Sequence, residues 1–182
     1  WPHITHLFEV CQKWYPYIMA GTWPDCDMIP LGRISIRGER GEDRMTRLSK
    51  EEQYTLMNLF CIFRSPLMFG GDLPSNDDFT LSLLTNKNVL DMHRYGSHVR
   101  QLFQQDGKVA ITSVNANTKD VYLALFNLGD KPTEVSTTLK ELDLQGEYKL
   151  TEMWQNKDKG TTSDLISVQL PPHTSILYKI HK

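Results

Sequence analysis

Asp25 and Asp27 flank Cys26 in Gly21-Thr-Trp-Pro-Asp-Cys-Asp-Met-Ile-Pro-Leu-Gly32, a stretch with no basic residue before Arg33. Two carboxylates two residues apart, among Trp23, Pro24, Met28, Ile29 and Pro30, suit three chemistries. They can do acid/base work, ligate a hard cation, or form an Asx turn in which a side chain accepts a backbone N–H. For an isolated Asp-x-Asp the turn is the default. A hard cation needs more oxygen ligands than this stretch supplies, so no metal is assigned. His3 and His6 lie one helical turn apart without a third ligand and read as solvent-facing. Cys11, Cys26 and Cys61 are odd in number and none lies at Cys-x-x-Cys spacing, which indicates neither a disulfide framework nor zinc. Asp72, after Gly70-Gly71, reads as a turn or helix cap, or as a support at the end of a strand. Loop 33–44 holds four Arg against two Glu and one Asp and reads as solvated and self-paired.

The elements that must position these residues change character near residue 96. All three Cys lie before it, and of the seven Met only Met153 lies after it. Ile4, Leu7, Phe8, Cys11, Trp14 and Tyr15 follow one helical face, with Pro2 suited to the first turn, so a helix is predicted to about Tyr15. Residues 17–21 (YIMAG) then read as a brief buried strand emptying into the Asp-Cys-Asp segment. A second helix starts at a capping box of Ser49 and Glu52 and turns Leu56, Leu59, Phe60 and Phe63 to one side. Residues 65–72 (SPLMFGGD) read as a strand feeding a loop. A single further helix is predicted over residues 78–93, capped by Asp77 or Asp78, with Leu81, Leu84 and Leu90 inward. Alternation of helices and strands argues for parallel strands with crossover helices, whose ligand sites gather at the strands' carboxyl ends. Asp25, Asp27 and Asp72 are expected at such ends.

From residue 97 the apolar period becomes two. Seven strands are predicted, over 99–104, 108–116, 120–128, 133–139, 147–154, 165–170 and 174–181, separated by turns such as Asp106-Gly107. That spacing suggests an antiparallel sandwich, in which Tyr122, Phe126, Tyr148, Trp154 and Tyr178 pack the core rather than form a sugar platform.

A chain of 182 residues buries a sizeable core, roughly 70% of its unfolded surface. The net charge of −2 creates no field to recruit nucleic acid or an anionic membrane. No apolar run approaches the roughly 20 residues needed to cross a bilayer, and no signal peptide is legible. The chain opens on Trp1 without a Met and reads as a fragment.

Residues 21–32, 47–73 (RLSKEEQYTLMNLFCIFRSPLMFGGDL), 81–93 (LSLLTNKNVLDMH) and 170–180 (LPPHTSILYKI) together resemble the carboxyl-terminal part of family 27 glycoside hydrolases. This is the melibiase group of α-galactosidases and α-N-acetylgalactosaminidases. The resemblance implies the last part of a (β/α)8 barrel over residues 1–96 and an antiparallel β-sandwich over 97–182. It implies retaining hydrolysis by two aspartates without metal or other cofactor. Both of those aspartates are expected upstream of Trp1, so the chain alone is expected to be inactive.

By the same resemblance Asp27 and Met28 line the sugar pocket, while Trp23, Asp25 and Asp72 support it. The implied ligand is an α-galactoside-type carbohydrate, with α-N-acetylgalactosaminides or β-L-arabinopyranosides as alternatives, and the implied setting is secreted or periplasmic. The competing reading is a non-catalytic carbohydrate-binding or interaction module. If residues 1–96 fold without the rest of a barrel, their open edges and apolar faces should pair with the missing portion or self-associate, leaving the β part as the stable unit.

Overall fold

The computed structural model describes residues 1–182. Helix α1 (Pro2–Trp14) starts on Pro2, whose missing N–H costs nothing in a first turn, and buries Ile4, Phe8 and Cys11. A short 3₁₀ turn, Tyr15–Tyr17, ends it. Residues 17–21 are not the buried strand expected from sequence. Pro16 sits inside the 3₁₀ turn, Tyr17 and Met19 are exposed, and the only pairing is an isolated bridge from Met19 to Thr22.

The first strand comes later, as β1 (Met28–Ile29), followed by the short hairpin β2 (Arg33–Ile34) and β3 (Arg44–Met45). Helix α2 (Lys50–Phe63) has the predicted capping box. The Glu52 carboxylate accepts from the Ser49 N–H at 2.9 Å, and the Ser49 hydroxyl accepts from the Glu52 N–H at 3.2 Å. Leu56, Leu59, Phe60 and Phe63 are buried as expected, and so are Gln53, Thr55, Met57, Asn58, Cys61 and Ile62, because α2 is enclosed on nearly all sides.

Strand β4 (Met68–Phe69) runs parallel to β1, pairing Met28 with Met68 and Ile29 with Phe69. Gly71 permits their close approach: a Cβ there would meet the Leu31 carbonyl at 2.2 Å. The helix predicted over 78–93 is two helices, α3 (Asp78–Leu84) and α4 (Lys87–Tyr95). Asn86 breaks it by capping α4, its side chain accepting from the Val89 N–H at 3.2 Å. The break rotates the second half, so the buried apolar residues are Leu83, Val89 and Met92; Leu81 is exposed, and Leu84 and Leu90 are half-buried.

Strand β5 (Gly96–Gln105) opens the β region and is followed by β6 (Lys108–Asn115), β7 (Val121–Asn127), β8 (Thr133–Thr138), β9 (Tyr148–Glu152), β10 (Lys157–Thr162), β11 (Leu165–Leu170) and β12 (Ser175–His181). Six of them form one antiparallel sheet in the order β10-β9-β12-β7-β6-β5, and β11 pairs with β8 in a second. The unpredicted strand is β10, KDKGTT, an edge with no apolar residue to mark it. A closed barrel is not in this chain.

The central strand β7 is buried on both faces. Val121, Leu123 and Leu125 meet Val135, Ile166 and Leu170 in the core between the two sheets. Tyr122, Ala124 and Phe126 join Phe8, Leu56 and Phe60 in a larger core beneath the helices. Phe8 and Phe126 meet edge to face with centroids 4.9 Å apart. Polar contacts stitch the same seam: the Trp154 indole N–H donates to Asn58 Oδ1 at 2.8 Å, Asn58 Nδ2 donates to Ser175 Oγ at 2.9 Å, and the Thr55 hydroxyl donates to the His173 carbonyl at 2.9 Å. The division at residue 96 therefore marks a change of secondary structure within a shared core. Residues 97–182 alone would expose the apolar face that α1 and α2 cover, which opposes the expectation that the β part is stable by itself.

Candidate functional site

The segment between α1 and β1 hangs from one buried residue. Cys26 is enclosed, and its N–H donates to Ser65 Oγ at 2.9 Å. Its neighbours on either side, Asp25 and Asp27, are exposed. Asp25 Oδ1 accepts from the Asp27 N–H at 2.8 Å, the Asx turn that Asp-x-Asp favours, and Asp27 Oδ1 accepts from the Met28 N–H at 2.8 Å. Asp27 adopts φ +70, in the left-handed region that Asp tolerates better than most residues.

That conformation interrupts the extended chain, so pairing with β4 begins only at Met28. Asp25 and Asp27 therefore precede β1, and because residues 17–21 form no strand they do not lie at the carboxyl end of one there, contrary to the expectation. Asp72 does follow its strand: it lies three residues beyond Phe69, and its N–H donates to the Arg33 carbonyl at 2.8 Å. Its carboxylate accepts from the Ser75 hydroxyl, closing the turn into the short helix Leu73–Ser75.

Met28 and Asp72 line one groove of about 440 Å³, together with Phe69, Gly70, Gly71 and the β2-β3 hairpin. The volume suits a small ligand. The basic wall of the groove is held by its own partners, as the solvated-loop reading of 33–44 expects. Arg33 forms a two-point pair with Asp43, Nε to Oδ1 at 2.8 Å and Nη2 to Oδ2 at 2.5 Å. This hydrogen bonding holds the Asp43 carboxyl below its ordinary value and raises Arg33. Arg44 Nη1 donates to the carbonyls of Arg40 and Glu42 at 2.9 and 2.8 Å.

Trp23 lies elsewhere, in a second cavity of about 500 Å³ with Arg64, Pro66, Leu90, His93 and Arg94. The structure thus brings Met28 and Asp72 together, leaves Asp25 and Asp27 outside the groove's lining on the exposed turn that precedes Met28, and separates Trp23 from the groove. His3 and His6 are exposed. Of the aromatics, Tyr122, Phe126 and Tyr178 are buried in the cores. No three His, Cys, Asp or Glu residues cluster as a metal site would require, and no helix is long and apolar enough to cross a membrane.

Two groupings escape a reading by spacing. Cys11 and Cys26 meet with their sulfurs 3.8 Å apart. His173 stacks on Trp1 with centroids 4.1 Å apart, its Nδ1 is 2.8 Å from Glu52 and its Nε2 is 2.9 Å from Asp130, tying α1, α2 and the β12 turn together. The only sequence signals were the residue types, because the partners are distant along the chain.

Residues 106–180 match the family described as the alpha galactosidase C-terminal beta sandwich domain. Alpha-galactosidase 2 of Arabidopsis thaliana is 21% identical over 183 residues, an alignment covering 99% of this chain and 43% of that protein. A crystal structure of a GH27 β-L-arabinopyranosidase from Geobacillus stearothermophilus superposes with a TM-score of 0.96 at 43% identity, covering 100% of this chain and 42% of that one. A Bacillus halodurans C-125 structure assigned as an α-N-acetylgalactosaminidase does so with a TM-score of 0.94 at 37% identity, covering 100% of this chain and 44% of that one. Over its whole length the chain matches the carboxyl-terminal portion of glycoside hydrolase family 27 members, spanning less than half the length of these relatives.

Proposed function

We propose that this chain is the carboxyl-terminal part of a retaining glycosidase acting on terminal α-galactosides or a close stereochemical analogue. In this reading residues 1–96 supply the last strands and helices of a (β/α)8 barrel, with β1 and β4 as neighbouring barrel strands, and residues 97–182 are its β-sandwich. The nucleophile and acid/base aspartates belong to sequence outside residues 1–182, and no cofactor takes part. Asp27 accepts hydrogen bonds from sugar hydroxyls, Met28 provides an apolar wall, and Asp25, Asp72 and Trp23 support the loop and strand ends. A secreted or periplasmic setting belongs to the same proposal.

The observation that carries the reading is a whole-chain superposition at 43% identity on a family 27 enzyme. The parallel pairing of β1 with β4 supports the barrel assignment, because parallel strands occur almost only where both faces of a sheet are covered. So does exposure: of the eleven large apolar residues left exposed, ten precede residue 96, where a completed barrel would cover them.

A β-L-arabinopyranoside is the specific alternative substrate, favoured by the same 43% identity against 21% for the plant α-galactosidase. L-Arabinopyranose keeps the ring stereochemistry of galactose and lacks the hydroxymethyl group, so one enclosing contact separates the two preferences. Residues 1–182 exchanged for the corresponding part of the Geobacillus stearothermophilus enzyme should give a chimera that hydrolyses an aryl β-L-arabinopyranoside, whereas this chain alone should turn over neither that substrate nor an aryl α-galactoside. A folded but inactive chimera, or robust turnover by the isolated chain, would overturn the proposal.

A further inference from the structure

Cys11 lies on the buried face of α1 with Ile4 and Phe8, and Cys26 lies in the loop between the two exposed aspartates. They are fifteen positions apart, and both are unoxidised thiols with sulfurs 3.8 Å apart. A disulfide needs about 2.05 Å, a closing distance of about 1.8 Å that small side-chain rotations can supply. We infer that Cys11 and Cys26 form a reversible disulfide that staples α1 to the loop carrying Asp25 and Asp27.

The two sulfurs are not equivalent. The contact with Cys11, helped by Ser65, holds Cys26 below its ordinary value against the opposing effects of burial and the Asp25 charge, while the same contact and burial push Cys11 upward. That asymmetry favours Cys26 as the sulfur that attacks first. It also lies in the more accessible place, since residues 25, 27 and 28 around it are exposed.

With a small-molecule disulfide such as oxidised glutathione as oxidant, Cys26 attacks one sulfur and expels one glutathione thiolate. Cys11 then gives up its proton and attacks Cys26 Sγ, expelling the second. Two electrons pass from the cysteine sulfurs to the glutathione pair, and the two protons end on the released thiols. Cys61 is the internal control: it is a free thiol, fully buried, and burial pushes it up to about 12. The staple does not depend on whether Asp27 faces a sugar.

The test equilibrates the full chain in glutathione buffers of increasing oxidation, quenches with an alkylating agent and reads intact mass and peptide map. The expected result is joint loss of two thiols, a species about 2 Da lighter containing a Cys11–Cys26 cross-linked peptide, and a melting temperature raised by roughly 5 °C or more. Cys61→Ser should leave that conversion intact, and Cys26→Ala should abolish it. A glutathione adduct that persists on Cys26 without resolving, or three unchanged thiols in the most oxidising buffer, would overturn the inference. Both are read on the unsubstituted chain, so the test survives if a variant fails to fold.

Discussion

His93 is held at the seam between α4 and the turn before β4, its Nε2 2.8 Å from the Ser65 carbonyl, to which the ring donates. Burial lowers its tendency to protonate, the nearby Arg64 charge adds to that, and the bond to Ser65 offsets part of it. A histidine whose folded value lies below the unfolded value of about 6.5 makes the unfolded state bind more protons as pH falls. Its contribution to stability is therefore present above that pH and is lost below it. Urea midpoints should fall between pH 7.5 and pH 5.5, and His93→Gln, which keeps an N–H donor, should flatten that dependence; an unchanged slope would remove His93 as its source. At this scale the Asp-x-Asp turn was legible, because Asx geometry is set by neighbours in sequence. The burial of Cys26 between two exposed acids was not, because it depends on Cys11 and Ser65, which only tertiary packing delivers.

At the scale of elements, the capping box of α2 was fully legible, since both of its hydrogen bonds lie within four residues. Ser49→Ala should cost about 1 kcal/mol of stability by chemical denaturation, as an N-cap loss does; a change near zero would mean that burial alone holds the helix start. The expected strand over 17–21 failed because Pro16 and the tight turn toward Thr22 keep Tyr17 and Met19 outside, although their side chains are apolar. The long helix after Asp78 failed at Asn86, whose side chain caps α4 more effectively than it continues α3. Strand β10 shows the opposite limit. It pairs antiparallel with β9, and its polar, exposed composition marks a managed sheet edge rather than a core strand.

Across the whole molecule, the β region was legible from its period of two, while its dependence on the helices was not. The double burial of β7 joins the two cores, so α2 and the sheets stabilise one another. Nearly all the large apolar residues that remain exposed, among them Trp14, Tyr17, Trp23, Met28 and Met68, belong to the first region, which also holds a parallel pair with two open edges. The isolated chain should therefore associate with rising concentration, which light scattering behind size exclusion would detect; a monomer throughout would imply that these surfaces are adequately solvated. The same surfaces are the ones the proposed barrel would cover.

The exposed turn that leads into β1 carries the most direct test of a sugar site here. In the chimera with the Geobacillus stearothermophilus enzyme, Asp27→Asn should lower kcat/KM for the aryl β-L-arabinopyranoside by roughly tenfold to a hundredfold, the loss expected for charge-assisted hydrogen bonds to sugar hydroxyls. Asp25→Asn should cost much less, acting only through the turn. Equal activity of the Asp27→Asn and unsubstituted chimeras would contradict the placement of this loop in the sugar site.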